Sequence, residues 1–290
     1  MRNWLIVLTF FSLWISTMFN DSIQQILAYG FILSVGILHG ANDITLINLF
    51  TKDKTKKINF YKVLTYYIVA ILLILGVFSL YSPLALFLFI LISSYHFGEQ
   101  HLKNKIKDEN VFIVPFYFFY GATILFMLFT FNIDKTNLIF EEVIGYLMPD
   151  SFFRTGLVIA IIGLVLTFIF LRVQKNVKLN LIEEVFYLLV LMLVFRVADL
   201  LWAFAIYFIL WHSIPSLKDQ IELLHGEAKI DGFLKYLKTS WVYWLSSILG
   251  LVLLYIIFKD DSEFLISILI YFLAAITFPH VIVMSRLEKN

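Results

Sequence analysis

Cysteine is absent from this 290-residue sequence, and with it go disulfide scaffolds, thiol nucleophiles and thiolate metal sites. Any metal must be held by His, Asp or Glu. Charge is scarce as well: Asp, Glu, Lys and Arg make up 15% of the residues against 61% hydrophobic, and the mean hydropathy is +0.90. A soluble domain of this length would need more polar surface to meet water, so most apolar side chains must face lipid or one another. The net charge of +1 supplies no basic field for nucleic acid. No long Gly-, Ser- or Pro-rich linker and no internal repeat divides the chain. Residues 1–290 therefore read as a single multispanning membrane domain.

What is present is a series of apolar runs. The first, "WLIVLTFFSLWISTMF", is followed by no small-residue cleavage site and leads through "NDSIQQ" into more apolar sequence, which predicts a first membrane helix rather than a signal peptide. Further runs lie at about 23–50, 62–81, 83–98, 111–131, 155–172, 181–196, 199–216, 240–258 and 264–284. Two of them, 83–98 and 181–196, are short for a hydrocarbon core of about 30 Å. The expected fold is an all-α integral membrane protein with eight to ten transmembrane helices in one bundle.

The connecting segments are unevenly charged. Lys52, Lys54, Lys56, Lys57 and Lys62 cluster before the third run. Lys103, Lys105 and Lys107 follow the fourth, and Arg172, Lys175 and Lys178 follow the sixth. Lys218, Lys229, Lys235 and Lys238 punctuate 217–239, whereas "YSP", 132–154 and "KDDSE" carry few positive charges. The positive-inside rule makes the first group cytoplasmic, and ten spans then put both termini in the cytoplasm of a cell (inner) membrane protein.

That topology places the histidines. At 1.5 Å rise per residue, His39, His96, His212 and His280 lie about 24, 20, 20 and 24 Å from the outer ends of four different helices. They share a depth in the cytoplasmic half, which points to a common site. A single histidine near a helix end is ordinarily an interfacial or packing residue, but ionisable groups within a bilayer are costly and usually mark a site or a pathway. Neutral imidazole is also a strong ligand for divalent transition metals. Asp43 follows His39 at i+4 and so shares its face on a continuous helix, where it could orient a histidine, ligate, or simply hydrogen-bond. His101 lies about 140° around a helix from His96 and cannot share a metal with it unless the helix ends near Gly98. His225 falls in the Lys-rich segment and reads as solvated. Gly36 and Gly40 form a small-xxx-small pair suited to close helix approach.

Four stretches, "GILHGAND" (36–43), "SSYHFGEQH" (93–101), "YFILWHSIPSLKDQ" (207–220) and "FPHVIVM" (278–284), occur in an order that resembles the Brp/Blh-type membrane β-carotene 15,15′-dioxygenases, which include bacterio-opsin-related proteins. The resemblance implies central cleavage of β-carotene by O₂ into two molecules of retinal at a histidine-ligated iron(II), Fe(2+), centre, with retinal passing to a microbial rhodopsin. It carries the proposed ligands onto His39, His96 and His212, and the histidine of the PH element onto His280. Many relatives place a second histidine four residues after that of the WHS element. Here that position is Ser216, so His280 is expected to complete the shell, with Asp43 or Glu99 as substitutes. Three histidines with open positions would also bind iron and O₂ together.

A substrate dissolved in the bilayer suits a site within the membrane, and no protein acid, base or nucleophile is obligatory. Tyr95, Phe97, Tyr207 and Trp211 adjoin the candidate ligands and are the expected positioning or polyene-lining residues among 31 Phe, 15 Tyr and 6 Trp. The segment 137–148 could lie as an amphipathic helix on the outer surface. Six scattered histidines are too few for the HxxxH and HxxHH clusters of membrane di-iron hydroxylases. Two other readings remain: a proton or cation transporter using a buried histidine with Asp43, and a family member that binds carotenoid or retinal, or assists a rhodopsin, without turnover.

Overall fold

The computed structural model describes residues 2–49, 60–106, 111–174, 178–258 and 265–287. The expected cytoplasmic Lys52, Lys54, Lys56, Lys57, Lys107 and Lys175, and the "KDDSE" connection, lie outside them. Among the described residues the regular structure is helical: α1 (Arg2–Met18), α2 (Asp21–Phe31), α3 (Asp43–Leu49), α4 (Phe60–Leu102), α5 (Ile113–Phe131), α6 (Ile133–Ile144), α7 (Asp150–Val173), α8 (Leu181–Val197), α9 (Leu200–Ile206), α10 (Ile214–His225), α11 (Ile230–Phe258) and α12 (Leu265–Leu287). Two π-helical stretches interrupt this pattern, Ile32–Gly36 after α2 and Tyr207–Ser213 between α9 and α10.

Five of the described helices are long and apolar enough to cross a membrane, covering Phe60–Lys105, Ile113–Phe131, Asp150–Val173, Leu200–His225 and Ser267–Ser285, and Asn3–Met18 is a shorter apolar helix. Large apolar side chains stay on the outside, among them Leu80, Leu166 and Ile182, which is the inverse of a soluble surface and matches a lipid solvent. The runs 62–81 and 83–98 are two helical segments of α4 separated by a kink at Tyr81, whose φ of −156° and ψ of 78° are not helical. Pro83 explains the bend, because its ring displaces the carbonyl of Ser79 and removes a rung of the ladder. The run 23–50, expected as one helix, is broken: residues 39–42 are turns, and the Asp43 amide bonds the Gly40 carbonyl instead of that of His39.

The chain divides into two compact units, each built from separated segments. The first comprises Met1–Ile32, Ile90–Glu141 and Gly145–Ser213. Within it α5 lies along α7, where Gly156 and Gly163, seven residues apart and so on one face, make room for the rings of Phe126 and Phe119. The C-terminal part of α4 approaches α5 even more closely. A Cβ on Gly98 would fall on the Tyr117 carbonyl, and one on Gly121 on the Ser94 carbonyl, so backbone itself packs there. At one end Lys135 of α6 bonds Asp199, which caps α9 through the Leu201 amide, and meets Asp21 at 2.5 Å. Burial disfavours the charged form of Lys135, but the hydrogen bonds and charges of Asp199 and Asp21 outweigh it and raise its pKa above the ordinary value.

The second unit comprises Leu33–Phe89, Glu142–Ile144 and Ile214–Asn290. Here α10 packs on α11, and α12 on α3 and α11. Leu217, Ile221 and Tyr236 form one buried cluster with Leu38 and Leu224 against it, and Leu46, Val283 and Met284 form another. The indole of Trp244 donates to the carbonyls of Leu33 and Ser34 at 3.0 and 3.2 Å, in the π-helical stretch where the regular ladder is disturbed.

Candidate functional site

His39 and His280 come together within the second unit. Both are buried, and their rings meet edge to face with centroids 5.0 Å apart. His39 stands just past a π-helical stretch, and its Nδ1 bonds the Gly36 carbonyl. His280 follows Pro279 in α12, and its Nδ1 lies 2.8 Å from Asp43 Oδ1. An oxygen acceptor at Nδ1 keeps the proton on that nitrogen and makes Nε2 the basic one, the arrangement in which second partners orient metal-binding imidazoles. Asp43 uses its other oxygen to accept from Tyr67 at 2.8 Å. Asp43 thus bridges His280 and Tyr67 with its two oxygens.

His96 and His212 come together within the first unit. Their exposures are 1% and 2%, and their centroids lie 4.9 Å apart, again near perpendicular. His96 rides on α4, while His212 lies inside the π-helical stretch Tyr207–Ser213. Each of the two stretches thus bears on a candidate ligand, in keeping with the concentration of π turns at functional sites. Phe97 meets the His212 ring edge-on at 4.8 Å, Phe208 stacks on it at 5.5 Å, and Tyr207 packs on Phe97 at 5.3 Å. These rings keep the pair in a dry, aromatic setting. Phe208 was not among the expected lining residues, although it lies four residues before His212 and so on its face.

The other expected residues are placed unequally. Tyr95 donates to Glu99 one turn on, and the second Glu99 oxygen is 3.9 Å from His96 Nδ1, an ion-pair distance and not a hydrogen bond. Trp211 donates its indole N–H to Thr9 at 3.0 Å and meets Tyr187 edge-on at 5.2 Å. Ser216 is fully buried, and its hydroxyl lies 3.2 Å from the amide nitrogen of Gln220. α4 does not end at Gly98, so His101 stays off the His96 face: it stacks on Tyr120 and lies 2.8 Å from Glu184, which Lys105 also meets at 2.5 Å. This buried ionic cluster gave no signal in the sequence beyond isolated charges near helix ends. Gln220, Tyr236 and Tyr67 were missed too. Gln220 follows Ser216 at i+4 as a polar residue on the same helix face, which is a readable signal; Tyr67, in an apolar run beside Tyr66, offers none.

A family model described as Beta-carotene 15,15'-dioxygenase matches residues 31–288. The chain belongs to the β-carotene 15,15′-dioxygenase family. No curated protein and no solved structure matches it. The matched span of this dioxygenase-family chain takes in all four of the paired histidines. Among the described residues no group of three or more His, Asp or Glu side chains is placed to hold a metal ion. What each unit offers is two buried imidazoles, ring against ring, and in the second unit both have Nδ1 tied to an oxygen. That donor chemistry fits iron(II), for which imidazole is a suitable ligand.

Proposed function

We propose that this member of the family cleaves β-carotene at its central double bond with O₂, giving two molecules of retinal, using histidine-ligated iron(II) for which His39 and His280 in one unit and His96 and His212 in the other are the candidate ligands. The observation that carries the reading is that these four histidines, all within the family match, occur as two buried imidazole pairs instead of four separate packing residues. Iron(II), when bound, would supply the binding and activation of O₂ beside the double bond. The chain's own residues do the rest. The Gly36 carbonyl and Asp43 hold protons at Nδ1 of His39 and His280 and so fix which nitrogen is basic. Phe97, Phe208 and Tyr207 exclude water around His96 and His212 and present apolar faces to a polyene.

In the balanced reaction the C=C bond breaks, O₂ is reduced, and each new terminus becomes an aldehyde bearing one oxygen. The substrate reaches the protein from the bilayer, for which an eight-to-ten-span topology in the cell inner membrane, both termini cytoplasmic, is suited. Retinal released there would be available to a microbial rhodopsin.

The test is expression in a bacterial host that accumulates β-carotene, with retinal measured by chromatography beside His39→Ala, His96→Ala, His212→Ala and His280→Ala. Retinal from the wild type and its loss in each folded, membrane-inserted variant is the expected outcome. Retained activity would remove that histidine from the ligand set. Wild-type protein that is folded and iron-loaded yet makes no retinal would support carotenoid binding without turnover, and absence of iron would favour a transporter.

A further inference from the structure

The carbonyl of His39 has an unusual position in the chain. In a regular helix it would accept from the amide four residues on, but the Asp43 amide bonds Gly40 instead, and His39 stands at the head of the turn 39–42. The donor comes from α10. Gln220 Nε2 lies 2.7 Å from the His39 carbonyl and 3.2 Å from the Ser216 hydroxyl, while Gln220 Oε1 accepts from Tyr236 at 2.9 Å. The Tyr236 hydroxyl also stands 3.2 and 3.3 Å from the carbonyls of Leu38 and His39. Gln220, Ser216 and Tyr236 are all fully buried.

The orientation of this amide is determined by its surroundings. A carbonyl on one side demands the NH₂, and the Tyr236 hydroxyl on the other then donates to the oxygen. Asn42 adds a second tie, its Nδ2 donating to the Tyr236 carbonyl at 3.3 Å. Leucine or methionine at this buried position would have a similar volume, so filling space does not explain an amide. An amide that bridges α10, α11 and the main chain of a candidate ligand has a reason to be there.

Resting on the iron reading above, the geometry points to Gln220 as a positioning residue that clamps the main chain of His39 and so sets where its imidazole stands relative to His280. The ring is then held at two points: the main-chain carbonyl by Gln220, and Nδ1 by the Gly36 carbonyl. Gln220 touches neither substrate nor metal; it acts through His39.

The experiment is titration of purified full-length protein with Co(II), followed by its visible absorption bands, for the wild type, Gln220→Met and Gln220→Glu, with thermal melting in detergent alongside. Methionine keeps the volume without hydrogen bonds; glutamate keeps the acceptor toward Tyr236 but sets an oxygen against the His39 carbonyl. Both variants should melt as folded proteins, bind Co(II) at least about tenfold more weakly and show shifted bands, as follows when a partner that orients a ligand is lost. Folded variants with wild-type affinity and spectrum would overturn the clamp and leave the iron reading standing. No Co(II) or Fe(II) binding by the wild type would overturn both. Failure of both variants to fold would assign Gln220 to stability alone and overturn the inference.

Discussion

Asp43 divides its two oxygens between His280 Nδ1 and the Tyr67 hydroxyl, both at 2.8 Å. Asp43→Asn preserves the shape but removes the anionic acceptor, so the iron content of purified protein, measured by metal analysis under limiting iron, should fall with an affinity loss of about 10–100-fold. An unchanged content would make Asp43 a packing residue. Glu184 presents the other residue-scale case. It is 4% exposed, and Lys105 and His101 close on its two oxygens while Tyr120 donates to it at 3.0 Å. Glu184→Ala strands a buried ammonium and should destabilise the protein by about 3–5 kcal/mol, whereas Glu184→Gln with Lys105→Met should cost less than the single change. Thermal melting in detergent decides between these, with Glu184→Gln and Lys105→Met also measured singly; a double-variant loss equal to the sum of the two single losses would mean that the pair is not coupled.

At the scale of elements, backbone approach between α4 and α5 is set by two glycines. Gly98→Ala places a methyl group on the Tyr117 carbonyl, which a neighbouring side chain cannot relieve, and a loss of at least about 1–3 kcal/mol is expected together with a displaced His96. Gly76, in the first helical segment of α4, faces open space, and Gly76→Ala should stabilise by about 0.5–1 kcal/mol. Folded yield from membranes and melting temperature test the contrast; similar behaviour of the two variants would contradict the close crossing. Of these sites the sequence reading singled out Gly98 only as a helix end. A glycine in an apolar helix looks the same whether backbone or lipid lies opposite. The break at 39–42 was equally hidden, since "VGILHGAND" has no proline, and its turns are held by partners from α10 and α11.

For the whole molecule, the absence of cysteine makes any introduced thiol the only one in the chain. The charge asymmetry of the connections predicts that Tyr146→Cys, in the acidic 132–154 stretch, is labelled by a membrane-impermeant maleimide in intact spheroplasts. Glu227→Cys, in the lysine-bearing 217–239 segment, should react only after lysis. Both positions are exposed, so labelling reports the side of the membrane. The reverse pattern would invert the topology and move the histidines to the outer half.

The sequence by itself determined the membrane class and the helical architecture, and it singled out the four histidines and Asp43 as candidates, because composition, hydropathy and residue type are local properties that survive without a fold. Tertiary structure alone decided that these histidines pair as His39 with His280 and His96 with His212, that Asp43 meets His280 Nδ1 instead of sharing a helix face with His39, and that Gln220 and Tyr236 bond the His39 main chain. Those facts depend on which helices lie side by side. Hydrogen bonds spanning 181 or 237 residues of chain leave no periodicity for a sequence to display.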